Sequence, residues 1–130
     1  MDSPVRVLLV DESDDVLDLT RQFLGQESDA FEVETATSAA DAVAAVDAKP
    51  FDAVVGDYHM PDIEGPALAQ RLRERNPGLP FVLFTGRDRA AVETDLQEAD
   101  LDGHVQKRAG TDQYAELAAA VRDAVEARSE

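Results

Sequence analysis

Short apolar runs alternate along this chain with longer stretches whose apolar residues recur at helical spacing. The first run, Val5–Val10, is rich in Val and Leu with little alternation, as in a strand covered on both faces. Ser13 or Asp14 then caps a helix reaching to about residue 26, with Leu17, Phe23 and Leu24 at core-facing spacing. A second strand over 31–35 leads to Ser38, and Asp41 three residues on gives a capping-box-like helix start. That helix carries the small apolar stripe Ala42, Val43 and Val46 and ends near Lys49 and Pro50. The third strand, Ala53–Gly56, runs into a loop over 57–65 that contains Pro61. A helix follows over about 66–75, stopped by Asn76-Pro77-Gly78. A fourth strand over 81–84 meets Thr85 and Gly86, and its helix is Arg89–Glu98. After the short strand Gly103–Gln106, Thr111 caps a last helix with Tyr114, Leu117, Val121 and Val125 on one side, fraying after Ala127.

Strands alternating with helices favour a parallel α/β sheet with helices on both faces. Reactive side chains then stand at the carboxyl ends of the strands: Asp11 and Glu12, Asp57, Thr85 and Lys107. In open α/β sheets ligands bind in the crevice beyond those ends, so these groups converge there. Carboxylates gathered in one pocket drive each other toward the neutral form unless a cation holds them. Mg²⁺ suits them, because it prefers oxygen ligands and binds through one or two carboxylates plus the phosphate oxygens of a substrate. An ammonium and a hydroxyl opposite the acids complete an anion cradle for phosphoryl transfer, in which Asp57 is the best-placed carboxylate nucleophile. Taken singly, each residue has a plainer reading. Asp57 is then a strand-end turn acid, Asp11 and Glu12 are solvated acids before a helix N-terminus, and Thr85 is an ordinary strand end.

The acidic pair in LLVDES, the segment GDYHMPDIEG with Met60, Pro61 and Gly65, then FTG and VQK occur in one order with fixed gaps. In this the chain resembles the receiver domain of two-component response regulators, the chemotaxis regulator among them, over residues 5–125. The resemblance implies a single receiver domain over 1–130. Its fold would be flavodoxin-like and doubly wound, a five-stranded parallel sheet in the order 2-1-3-4-5. It implies that Asp57 accepts a phosphoryl group from a histidine kinase and that Mg²⁺ is held by Asp11, Glu12, Asp57 and the backbone carbonyl of His59. Thr85 would donate its hydroxyl to the phosphoryl group, and Lys107 would pair with Asp57 before phosphorylation and with phosphate oxygens after it. His59 and Arg87 are candidates to flank the attacking water. Ser13 and Leu17 are candidate kinase contacts, with core packing as the other reading of Leu17.

The sequence departs from the family at three points. Glu12 stands where a second Asp is commonest, and its extra methylene works against direct coordination at the ~2.0 to 2.1 Å octahedral geometry of Mg²⁺. His104 stands where Tyr or Phe is usual, and is either a milder switch or an exposed strand residue. Arg108 replaces a Pro that is often cis, so a trans bond is expected. Two other functions fit the same residues: a phosphorylation-independent interaction module, and a phosphohydrolase with an aspartyl nucleophile. The latter usually shows a DxD pattern, whereas position 59 is His. The expected role is therefore signalling rather than turnover of external substrates.

Composition narrows the partners. The 130 residues fit one domain, and cysteine is absent, which removes disulfides and thiol chemistry. No run approaches the ~20 apolar residues of a membrane span and the first residues lack signal-peptide regions, so a soluble cytoplasmic protein is expected. With 28 acids against 12 bases the net charge is −16, which argues against direct nucleic-acid binding and against anionic membranes. Lys49 and Lys107 are the only lysines, Arg supplies the remaining bases, and Asp outnumbers Glu. That bias resembles proteins of halophilic archaea and predicts a fold stabilised by salt. The downstream effector is not legible, and a weak homodimer is an open expectation.

Overall fold

A computed structural model describes residues 4–128. Its elements run β1 (Val5–Val10), α1 (Asp14–Glu27), β2 (Phe31–Ala36), α2 (Ala39–Ala48), β3 (Ala53–Gly56), α3 (Gly65–Arg75), β4 (Phe81–Thr85), α4 (Arg89–Glu98), β5 (Gly103–Gln106) and α5 (Asp112–Arg128). All neighbouring strands pair in parallel, in the order β2-β1-β3-β4-β5, as expected. The doubly wound topology follows from the alternation of strand and helix, since each parallel pair needs a crossover.

Successive strand side chains point to opposite faces and so feed two cores. Leu8, Val10, Val54, Phe81 and Leu83 pack with α2, α3 and α4 through residues such as Ala42, Leu68, Leu72 and Val92. Val7, Leu9, Val55, Val82 and Phe84 pack against α1 and α5 through Leu17, Leu24, Tyr114, Leu117 and Val121. Phe23 joins these two helices by stacking on Tyr114 with ring centroids 4.7 Å apart.

Three helix starts are closed by polar side-chain caps, whereas α3 begins after Glu64 without one. Ser13, not Asp14, caps α1 by accepting from the Val16 amide, Ser38 caps α2 from the Asp41 amide, and Asp88 caps α4 from the Ala91 amide. Several elements run slightly beyond their expected limits. β2 extends to Ala36, and β4 includes Thr85, whose pairing with Gln106 continues the ladder one residue further. At the far end α5 is still helical at Arg128, and the rest of the expected fraying lies outside the described residues. The Arg128 guanidinium donates to Asp102 at 2.7 Å. Asp102 also accepts from Arg73 at 2.9 Å and from the Phe81 amide at 2.7 Å, fastening α3, β4 and α5 together at the edge opposite the acids. No peptide bond among the described residues is cis, in line with the expectation for Arg108. No helix among them is long and apolar enough to cross a membrane.

Candidate functional site

β1 and β3 end side by side, with Val10 opposite Gly56 in register, and the chain keeps that order for one residue beyond. The Asp57 amide donates to the Val10 carbonyl at 3.1 Å and the Asp11 amide to the Ala36 carbonyl at 3.1 Å. Two carboxylates are thereby fixed at adjacent strand ends, where a topological switch point leaves a crevice. The Lys107 amide donates to the Thr85 carbonyl at 2.8 Å, which sets the lysine at the same edge.

Lys107 Nζ bridges the acids, 2.6 Å from Asp11 Oδ2 and 3.2 Å from Asp57 Oδ2. Each carboxylate has its other oxygen fixed by backbone: Asp11 Oδ1 accepts from the Ser13 amide at 2.9 Å, and Asp57 Oδ1 from the Tyr58 amide at 2.7 Å. Asp11 is buried at 6% exposure, so its charge is held where solvent screens it weakly. Two anions and one cation leave the cluster one negative charge in excess. The donors are all oxygen, which is the set a hard divalent ion takes, and two carboxylates satisfy what Mg²⁺ asks of a protein.

Glu12 does not join them. It is exposed, and among the described residues no group of three or more His, Cys, Asp or Glu side chains is placed to hold a metal ion. Thr85 is buried at the end of β4, and its hydroxyl accepts from the Arg87 amide at 3.4 Å. Leu17 is 3% exposed and belongs to the core, which rules it out as a surface contact; Leu19 is the exposed apolar side chain of α1.

Residues after Asp57 and Thr85 form a brace that the sequence pattern did not announce. The Arg87 guanidinium lies 4.1 Å from the Tyr58 ring centroid and 3.0 Å from His59 Nε2, while His104 Nε2 meets the Arg87 carbonyl at 3.0 Å. The β3–α3 and β4–α4 loops and β5 are thus joined beside the acids. Burial pushes the His104 pKa below its ordinary 6.5, with the Arg87 carbonyl bond pulling the other way. Burial, followed by a hydrogen bond to Asp95, raises the Tyr58 phenol above its usual 10.0. Tyr58 also packs against the core cluster that α4 joins through Val92 and Leu96. Tyr58 and His59 directly after Asp57, and Arg87 two residues after Thr85, were the available signal for this brace.

Gly65 closes the loop that carries these groups. Its amide donates to the Tyr58 carbonyl at 2.7 Å, and a Cβ there would sit 2.5 Å from the Asp57 carbonyl oxygen.

Comparison with known proteins bears on the family and the fold. Residues 7–121 match the family model described as response regulator receiver domain. The chain is 37% identical over 90 residues to the probable transcriptional regulatory protein TcrX of Mycobacterium tuberculosis, covering 69% of this chain and 37% of that protein. It is 35% identical over 112 residues to the transcriptional regulatory protein TcrA of the same species, covering 86% and 40% respectively. The chain therefore spans only about two-fifths of the length of these relatives. A CheY-like receiver domain structure from Methanospirillum hungatei superposes with a TM-score of 0.82 at 25% identity, covering 98% of each chain.

Proposed function

This chain belongs to the receiver-domain family of response regulators, and we propose that in it Asp57 accepts a phosphoryl group from the phosphohistidine of a sensor kinase. A carboxylate oxygen of Asp57 attacks phosphorus, the phosphorus–nitrogen bond breaks, and an acyl phosphate forms. Lys107 then shifts its charge from the carboxylates to the new phosphoryl oxygens, for which a compact ammonium is suited. The Thr85 hydroxyl donates to the same oxygens once it turns from the Arg87 amide, and His104 follows through its bond to the Arg87 carbonyl. Asp11, Asp57 and the His59 carbonyl would hold Mg²⁺, with Glu12 acting through water at most. Bound there, Mg²⁺ supplies charge that offsets the developing phosphoryl negative charge.

The observation that carries this reading is Lys107 Nζ held within 2.6 Å of Asp11 and 3.2 Å of Asp57 at one edge of the sheet. The altered surface of α4, β5 and α5 would select a downstream protein. A net charge of −16 favours a protein partner over nucleic acid.

The test is incubation in high salt with Mg²⁺ and acetyl phosphate, followed by intact mass for wild type and Asp57→Asn. A single metal-dependent phosphoryl adduct absent from the variant is expected. No adduct on folded wild type, over a range of donors and Mg²⁺ concentrations, would replace this reading with a phosphorylation-independent interaction module.

A further inference from the structure

Behind the acids, between α1 and the ends of β1, β3 and β4, lies a small cleft lined by Leu9, Val16, Thr20, Val55 and Phe84 and reaching both Asp11 and Asp57. Thr20 is 2% exposed, and its Oγ1 is a buried side-chain atom without a hydrogen-bond partner among the described residues. A buried hydroxyl left so costs about 1 to 3 kcal/mol, a penalty native proteins seldom leave standing. The space open to the centre of a water-sized sphere is ≈ 10 Å³, which matches the roughly 10 to 15 Å³ that one water needs.

We propose that Thr20 and the Asp11–Asp57 pair hold one ordered water, and that through it Thr20 orients the acidic pocket. The Thr20 hydroxyl donates to the water, and the water donates to a carboxylate. Capacity for that bond exists, because each carboxylate oxygen accepts two bonds and Asp11 Oδ1 and Oδ2 have one protein donor apiece, the Ser13 amide and Lys107. Among the buried side-chain nitrogen and oxygen atoms of the described residues, Thr20 Oγ1 is the one left without a hydrogen-bond partner. A methyl-lined pocket with one such hydroxyl and two acids at its mouth takes water rather than an apolar ligand. Thr20 is accordingly a positioning residue for the proposed Mg²⁺ and phosphoryl site and makes no contact with either.

The test uses the full chain, with Thr20→Val as a near-isosteric variant lacking the hydroxyl and Thr20→Ser retaining it. High-resolution crystal structures should show a solvent peak within hydrogen-bond distance of Thr20 Oγ1 and an Asp11 or Asp57 oxygen. That peak should persist in Thr20→Ser and vanish in Thr20→Val. By calorimetry, Thr20→Val should bind Mg²⁺ about tenfold more weakly, the low end of the loss seen when an outer-shell partner is removed, with Thr20→Ser close to wild type. A wild-type structure without that solvent, its hydroxyl turned onto the Val16 carbonyl, overturns the proposal. So does a Thr20→Val protein with unchanged Mg²⁺ affinity. This inference rests on the proposed use of the acids, but the two fail differently. Wild type that binds no Mg²⁺ sinks the metal reading, and the solvent density alone then decides the water site.

Discussion

Lys107 reaches Asp11 at 2.6 Å although the two residues stand 96 positions apart in the chain. Its distance to Asp57 is longer, 3.2 Å, so the ammonium rests nearer the deeper acid and has the proposed nucleophile at its edge. The ammonium is thus already within hydrogen-bond reach of both acids. Arginine keeps the charge but spreads it over a wide fork that does not fit between two carboxylates already fixed by the Ser13 and Tyr58 amides. Lys107→Arg is therefore expected to slow adduct formation from acetyl phosphate by roughly 10-fold to 100-fold, the worth of a charged hydrogen bond. A time course of intact mass measures this, and a rate equal to wild type would show that any cation serves.

Gly65 is the second constraint on Asp57. An alanine methyl at this position meets the Asp57 carbonyl oxygen at 2.5 Å and the Tyr58 Cα at 3.2 Å, both backbone atoms that cannot rotate aside. Gly65→Ala should cost about 1 to 3 kcal/mol as an overpacking change and also lower the yield of adduct, since the loop displaced carries Asp57, the proposed nucleophile. Gly25, in α1, has nothing within 4 Å of the same construction. Gly25→Ala should raise stability by roughly 0.5 to 1 kcal/mol and leave adduct formation unchanged. Urea melts of the two variants, run beside the mass assay, separate loop displacement from general loss of stability.

Most of the sheet was legible because its strands are short apolar runs that two covered faces require; Asp11 and Asp57 each directly follow such a run, and Lys107 was legible through the VQK motif at the end of the short β5. Glu12 illustrates where that logic ends: it is adjacent to Asp11 in sequence, yet one residue is buried and the other exposed. Adjacency past a strand end does not imply a shared pocket, because consecutive side chains leave the backbone in different directions. Thr20 lay on the buried stripe of α1, three residues after Leu17 and four before Leu24, and that spacing was a usable sign of burial. Asp102 gave no comparable sign. Its partners Arg73, Phe81 and Arg128 come from three elements whose approach depends on the packed sheet.

His104 gives the site a pH dependence whose sign follows from its burial. Its folded pKa lies below 6.5, first because burial disfavours the charged ring, so the unfolded chain takes up a proton before the folded one does. Stability from this group is complete above about pH 6.5 and declines as pH falls from there toward the folded value, below which no further loss comes from His104. His104→Gln removes the titration while keeping an amide able to donate to the Arg87 carbonyl. Melting temperatures of wild type and variant between pH 7.5 and 5.5 should diverge on the acid side, with wild type losing more. Parallel curves would mean that His104 titrates alike in the folded and unfolded chains.

Salt tests the remaining consequence of the composition. With a net charge of −16 the folded surface concentrates anions that the unfolded chain spreads apart, so compaction works against self-repulsion. Raising ionic strength from 0.01 M to 1 M shortens the screening length from about 30 Å to about 3 Å. The melting temperature should climb by at least about 5 °C, on the order of 1 kcal/mol for a domain of this size. The shape of the curve identifies the cause. If screening dominates, most of the gain comes by about 0.15 M, where the length has already fallen to about 8 Å. Gain that continues toward molar salt belongs to strengthened apolar burial, which excluded salts such as sulfate enhance more than chloride does. A melting temperature that is flat or falls across the whole range contradicts the expectation of a salt-stabilised fold.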